Sequence, residues 1–130
     1  MAYEQYQAYQ KVAMHSEVEQ ASPHRLIQML LDGAIERVNV IKGAITQNNL
    51  AMKSDYVKKL SAIIGGLQSS LDMSQGEISE NLRDLYIYMQ QELLLAHSEN
   101  SIERLDNILE ILKTIKSGWD GISPAASDAK

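Results

Sequence analysis

The chain has 130 residues, of which 45 % are hydrophobic and 22 % charged, so it has the size and composition of one folded domain. It contains no cysteine, which excludes a disulfide framework, a thiolate metal cluster or a cysteine nucleophile and suits a reducing cytoplasm. Its 12 basic and 17 acidic residues give a formal net charge of -5 without a basic cluster, which argues against nucleic acid as a partner. No apolar stretch is long enough to cross a bilayer, so we expect no membrane insertion and a cytoplasmic protein.

Residues 1–20 carry the weakest helical pattern of the chain. Tyr3, Tyr6 and Tyr9 recur every three residues, but Gln, Glu, Ser and Lys occupy most other positions, so the apolar stripe is thin. We therefore expect a marginal helix over 2–17 within a detachable N-terminal segment, 1–20, which packs on the rest of the protein and can leave it.

A first long helix is predicted over 23–47. Ser22 followed by Pro23 is a helix-start pair, because the serine side chain can accept a hydrogen bond from an exposed N–H and proline has no N–H to lose. The polar run Gln47-Asn48-Asn49 ends the helix. Its apolar stripe consists of Ile27, Leu31, Ala34, Val38, Ile41 and Ile45.

A second long helix is predicted over 50–72. The three- and four-residue spacing of a bundle seam recurs at Val57, Leu60, Ile64, Leu67 and Leu71. Within this helix, Gly65-Gly66 costs about 1 kcal/mol per glycine relative to alanine. We therefore expect another helix to approach closely at these glycines or the helix to bend there, with a groove for a partner as a further alternative.

Two further helices follow in the sequence. Ser74-Gln75-Gly76-Glu77 fits the S-x-x-E capping box that begins a helix, and the polar run from His97 to Asn100 closes it. Asn100-Ser101-Ile102-Glu103 is expected to cap the last helix, which ends at Gly118, Gly121 and Pro124. The two apolar stripes are Ile78, Leu82, Leu85, Met89, Leu93 and Ala96, then Leu105, Ile108, Leu112, Ile115 and Trp119.

Short polar turns between long helices favour antiparallel neighbours. The sequence therefore predicts an all-α fold: an antiparallel up-and-down four-helix bundle over 21–122, with an additional short N-terminal helix, in a single domain. The small and polar residues 123–130 are expected to form a disordered tail.

The sequence gives no support for an enzyme, a cofactor or a metal site. A di-iron site in a bundle core needs Glu-x-x-His pairs on facing helices, and the sequence has none. His15, His24 and His97 are isolated near predicted helix ends, where we expect surface positions, and no Gly-rich phosphate loop, G-x-S-x-G elbow or H-E-x-x-H motif occurs. A histidine phosphotransfer bundle that uses His24 or His97 stays an alternative, as does a self-associating structural bundle.

Apolar residues exceed what a four-helix seam needs. With about 100° of rotation per residue, Leu26 and Met29 lie well round from the stripe of their helix, and the later helices show a similar excess. An apolar groove that contains Met and Tyr and is partly covered by a weakly attached segment suits an amphipathic helix from another chain. The candidate partner-binding residues are Tyr3, Tyr6, Tyr9, Leu26, Met29, Leu31, Met52, Tyr56, Ile63, Tyr86 and Tyr88.

Three blocks of the sequence are recognisable: ASPHRLIQMLLDGA at 21–34, GEISENLRDLYIYM at 76–89 and GWDGI at 118–122. In order and spacing they resemble the flagellar secretion chaperone family FliS, over roughly residues 3–124. The resemblance implies a cytoplasmic antiparallel helical bundle that binds the C-terminal segment of newly made flagellin and keeps it from polymerising before export. It also implies docking onto the cytoplasmic domain of the flagellar export gate. The family's N-terminal helix covers part of the cargo groove and is displaced on binding, with Tyr6 and Tyr9 at positions linked with cargo or gate contact.

Overall fold

Four α-helices make up most of residues 21–122, which are the part of the chain that the computed structural model describes. We number them α1 (Pro23–Thr46), α2 (Leu50–Ser69), α3 (Glu77–Glu99) and α4 (Ile102–Asp120). A short 3-10 turn, Met73–Gln75, precedes α3. The described residues, 21–122, contain no strand. The all-α prediction is confirmed. The expected N-terminal helix over 2–17 and the tail at 123–130 lie outside the described residues.

Side-chain caps begin three of the four helices. Ser22 Oγ accepts a hydrogen bond from Arg25 N at 3.1 Å, as the sequence predicts. Within the cap predicted at 100–103, Ser101 Oγ accepts one from Arg104 N at 3.2 Å. Asn49, which the sequence only marked as a helix end, also caps α2 through Met52 N at 3.1 Å. The connections between helices are therefore fixed by local polar contacts.

The capping box expected at Ser74 is wrong. The cap of α3 is Gly76, whose φ of 71° places it in the left-handed region, and α3 has no side-chain cap. Ser74 instead lies in the 3-10 turn, where its backbone N donates to Asp72 Oδ1 at 3.0 Å. The Asp72 carboxylate thus organises this connection, and hydrogen bonds from the side chain and backbone of Ser74 lower the pKa of Asp72.

The hydrophobic core draws on all four helices. Its residues recur at three- and four-residue spacing along each helix, so that each presents one apolar stripe to the other three. Fully burying a Leu, Ile, Val or Met side chain contributes about 1.5–3 kcal/mol, so these residues supply the main stabilising term. They are Leu31, Ala34, Val38, Ile41, Leu60, Ile64, Leu67, Tyr86, Met89, Leu93, Ala96, Leu105, Ile108, Leu109 and Leu112.

Two residues of the predicted α3 stripe lie outside this core. Ile78 is 66 % exposed and Leu85 is 38 % exposed, whereas Tyr86, the neighbour of Leu85, is only 3 % exposed. The prediction that Ile78 and Leu85 are core residues is therefore wrong. In the first half of α3 the buried positions are Ser79 and Tyr86, each one residue further along the chain than the predicted Ile78 and Leu85.

Helix α1 packs against α2 and α4, and α3 packs against the same two helices. Polar contacts accompany this packing. Lys42 of α1 forms an ion pair with Asp106 of α4 at 2.5 Å, and the buried Lys53 of α2 donates to the backbone oxygen of His97 in α3 at 3.1 Å. Each of these pairs joins the end of one helix to the start of another.

The close helix approach expected at Gly65-Gly66 is not found. A Cβ added to Gly65 would meet only the amide end of Gln90, at 4.0 Å, and one added to Gly66 would meet no atom within 4 Å. These two glycines are therefore not required by helix packing.

We predict that Gly66→Ala raises the free energy of unfolding by about 1 kcal/mol, since alanine has the higher helix propensity and no neighbour is displaced. Urea denaturation followed by circular dichroism measures this. The matched control is Gly76→Ala, which should lower the free energy of unfolding by about 1 kcal/mol or more because of its positive φ. Equal effects of the two substitutions would contradict the prediction.

A candidate binding groove

An apolar groove of about 640 Å³ opens at the end of the molecule where α1 and α3 begin and α2 and α4 end. All four helices contribute to its walls. Its apolar lining consists of Pro23, Leu26, Ile27, Met29, Leu30, Ile63, Leu71, Ile78, Leu82, Tyr86, Ile115, Trp119 and Ile122. A groove of this lining can bind apolar side chains through burial alone.

The groove forms because the core thins at this end. In α1 the core begins at Leu31, and in α4 it ends at Leu112. Beyond these limits the apolar side chains Leu30, Ile115 and Trp119 pack against the core but are only partly buried. Apolar area that is left open to water in this way is available to a partner.

A set of contacts ties the first turns of α1 to the last turn of α4 beside the groove. The rings of His24 and Trp119 stack with their centroids 5.0 Å apart, and Trp119 Nε1 donates to the backbone oxygen of His24 at 3.0 Å. Gln28 Nε2 donates to Asp120 Oδ1 at 2.9 Å. Hydrogen bonds from Lys116 and Gln28 lower the pKa of Asp120, which keeps this carboxylate charged. We call this set the α1–α4 clasp.

His24 corrects a further expectation. The sequence placed it at the surface, but it is 4 % exposed, because the indole of Trp119 covers its ring. A buried, stacked imidazole lacks the access that a phosphodonor needs. His97 is also partly buried, and His15 lies outside the described residues.

Polar side chains also line the groove, and Arg37 and Tyr86 are two of them. Tyr86 is almost fully buried, and its burial raises the pKa of the phenol to about 12, so the hydroxyl stays protonated near neutral pH. Arg37 of α1 lines the same groove, and the guanidinium Nε is buried without a hydrogen-bond partner in the part of the chain described. Asp72, at the groove edge, accepts hydrogen bonds from Ser74 and Gln75.

The structure brings together four of the predicted partner-binding residues: Leu26, Met29, Ile63 and Tyr86 all line the groove. The other predicted residues within 21–122 lie elsewhere. Leu31 is fully buried in the core, Met52 and Tyr88 are about two-fifths exposed away from the groove, and Tyr56 is partly buried under the ammonium of Lys59. Tyr3, Tyr6 and Tyr9 lie outside the described residues.

Several groove residues were missed as binding residues, among them Ile78, Leu82, Ile115 and Trp119. The periodic pattern assigned all four to helix stripes that face the core. The signal that could have distinguished these four residues from core residues is their position near helix ends, on the side of the molecule where α1 and α3 start.

No group of three or more histidine, aspartate or glutamate residues within 21–122 is arranged to hold a metal ion. Over the same range, no helix combines the length and the apolar character that crossing a membrane requires. The groove can bind a partner through apolar contacts and hydrogen bonds.

These features define a helical binding protein with an open apolar groove. A family model described as "Flagellar protein FliS" matches residues 5–126. The flagellar secretion chaperone FliS of Vibrio cholerae is 42 % identical over 119 residues, which cover 91 % of this chain and 88 % of that protein. The flagellar secretion chaperone FliSB of Pseudomonas aeruginosa is 41 % identical over 116 residues, which cover 88 % and 92 %. FliS of Salmonella typhimurium is 38 % identical over 122 residues, which cover 92 % and 90 %.

The chain belongs to the FliS family of flagellar secretion chaperones, which confirms the resemblance found in its sequence. The family is one of chaperones and not of enzymes. The phosphotransfer alternative is therefore not supported.

We predict a pH-dependent contribution of Tyr86 to stability. Because burial raises the pKa of Tyr86 to about 12 from about 10 in an unfolded chain, the folded state holds this proton more tightly. The contribution of Tyr86 to the free energy of unfolding is complete below about pH 10. It is lost as the pH rises towards 12, and the total loss is about 1–3 kcal/mol. Urea denaturation of the wild-type protein and of Tyr86→Phe at a series of pH values measures it. The same pH dependence in both proteins would refute it.

Proposed function

We propose that this protein is an export chaperone that binds the disordered C-terminal segment of flagellin in the apolar groove, prevents its premature polymerisation and delivers it to the export gate. The observation that carries the proposal is the groove itself, formed by apolar side chains of all four helices in a member of the FliS family. The proposed site of action is the cytoplasm, where flagellin is made.

The proposed mechanism is coupled folding and binding. The flagellin segment presents an apolar helical face to the groove, and burial of that face stabilises the complex by about 25 cal/mol per Å² of apolar surface. Ordering the segment opposes binding by about 2–5 kcal/mol or more. The affinity is thereby limited, which suits a chaperone that must release its client without nucleotide hydrolysis.

The N-terminal segment is proposed to cover part of the groove in the absence of client. In support of this, Pro23, the first residue of α1, lines the groove, so the preceding chain enters α1 at the groove's edge. Displacement of this segment by client subtracts its own packing energy from the gain of binding. Tyr3, Tyr6 and Tyr9 are the side chains proposed to contact the groove or the client.

We further propose that α1–α4 form an antiparallel up-and-down bundle. Lys42 near the end of α1 pairs with Asp106 near the start of α4, and Trp119 near the end of α4 contacts His24 at the start of α1. Such pairs are expected when neighbouring helices run in opposite directions. The export gate's cytoplasmic domain is the proposed docking partner of the loaded chaperone, on the strength of the family resemblance alone.

We predict that Ile78→Asp weakens binding of a flagellin C-terminal segment by tenfold or more. Ile78 lines the groove and is 66 % exposed, so the substitution places a charge in the binding surface at little cost to folding. Titration calorimetry measures the affinity, and the emission of the single tryptophan, which also lines the groove, provides a second readout.

The matched control is Leu94→Asp. Leu94 lies on the same helix and is 69 % exposed, but it does not line the groove. Binding by this variant should equal that of the wild-type protein. Equal losses in the two variants would argue against the groove as the binding site, and a wild-type protein that only self-associates would favour the structural-bundle alternative.

We predict that deletion of residues 1–17 leaves the bundle folded, since the core residues found within 21–122 all lie between Leu31 and Leu112. The affinity for the flagellin segment should rise, because no covering segment has to be displaced. A circular-dichroism melt and a binding titration of the shortened protein measure both effects. Wholesale unfolding of the shortened protein would contradict the prediction.

A further inference from the structure

Arg37 has more hydrogen-bonding capacity than its surroundings use. A guanidinium carries five N–H donors and stays charged at physiological pH. Its two contacts both involve Nη1, which lies 3.4 Å from the Gly33 oxygen of its own helix and 3.5 Å from the carboxylate of Glu36. Both distances are long for a hydrogen bond. The buried Nε has no partner among the residues described. A buried donor left in this way requires an explanation.

Tyr86 is the second underused donor of the groove. The residue is only 3 % exposed, and its hydroxyl, which is not among the fully buried polar atoms, makes no hydrogen bond within the described range. Because burial raises its pKa to about 12, the phenol remains a neutral donor in the cell. Arg37 and Tyr86 come from different helices, α1 and α3, and line the same groove.

We propose that Arg37 and Tyr86 form a polar recognition point in the groove, which binds an Asp or Glu side chain of the bound helical segment. This inference rests on the proposed function and adds to it a rule for the client sequence. The bound helix must carry one carboxylate within its otherwise apolar face.

A side-chain carboxylate fits these donors better than other groups of a helical peptide. The backbone oxygens of a helix interior are already bonded within the helix. A carboxylate is the planar acceptor that an arginine fork matches, and it neutralises the one cationic side chain among the lining residues that the structure describes. The one carboxyl group among the described lining residues, Asp72, already accepts hydrogen bonds from Ser74 and Gln75.

The recognition point would set the register of the client. Apolar contacts tolerate sliding of a helix along a groove, whereas a charge-assisted hydrogen bond fixes one residue in place. A segment without the carboxylate would cover the Tyr86 hydroxyl and the Arg37 guanidinium without pairing them and would be rejected. Arg37 and Tyr86 are therefore specificity-determining residues in this account.

The test is a double-mutant cycle by titration calorimetry with the full-length protein and the C-terminal segment of flagellin from the same bacterium. Each Asp and Glu of the segment is replaced in turn by Asn or Gln. One replacement should weaken binding about tenfold, equivalent to about 1.4 kcal/mol. Arg37→Gln should weaken binding of the original segment by the same factor, and the two changes together should cost no more than either alone.

Arg83→Gln is the matched control, since it removes the same charge from α3 at a position outside the groove lining, and it should leave the affinity unchanged. Arg37→Lys, which keeps the charge without the fork, should recover part of the affinity. Tyr86→Phe retains the ring and removes only the hydroxyl, and it should cost several-fold in affinity. An amidated C-terminus on the segment should have no effect.

The proposal is overturned if Arg37→Gln binds the original segment as tightly as the wild-type protein does, while the proposed function then stands. It is also overturned if only amidation of the segment's C-terminus weakens binding, because the carboxylate recognised would then be the terminal one. Unchanged affinity of Tyr86→Phe would remove Tyr86 from the recognition point. If the wild-type protein does not bind the segment, the proposed function fails and this inference fails with it.

Discussion

Helix α1 presents apolar side chains around more of its circumference than the other three helices can bury. Leu31, Val38 and Ile41 fill the core, while Leu26 and Met29 remain on a flank that is only partly covered. The groove depends on this excess, because it lies where the α1 flank meets the less well packed ends of the other helices. Its binding capacity therefore follows from the same hydrophobic effect that holds the core together.

A groove of this kind must stay open without unfolding, and the α1–α4 clasp accounts for that. Where the core thins, the stacked rings of His24 and Trp119 and the hydrogen bond between Gln28 and Asp120 hold the start of α1 against the end of α4. Directional polar contacts thus replace apolar packing near the groove. The groove walls are stabilised, and their apolar side chains remain available to a partner.

The helices and most of their starting points were predictable from the side chains that cap them. The starts of α1 and α4 follow from Ser22 and Ser101, whose short hydroxyl side chains can cap only the N–H groups that come next. The start of α3 was mispredicted. In a capping box the Glu77 side chain would accept a hydrogen bond from the backbone N of Ser74, but here Asp72 Oδ1 accepts it. The family was identifiable from three sequence blocks, and the family comparison confirms it.

The sequence by itself determined the helical class, the approximate helix ends, the family and the presence of surplus apolar surface. It did not determine where that surface lies. Periodicity fixes the angle of a residue within its own helix, but the rotation of each helix relative to its neighbours is set by side-chain packing in three dimensions. For this reason only the tertiary structure decided that Leu31 lies in the core, that Ile78 lies in the groove, and that Arg37 and Tyr86 from separate helices line the same groove.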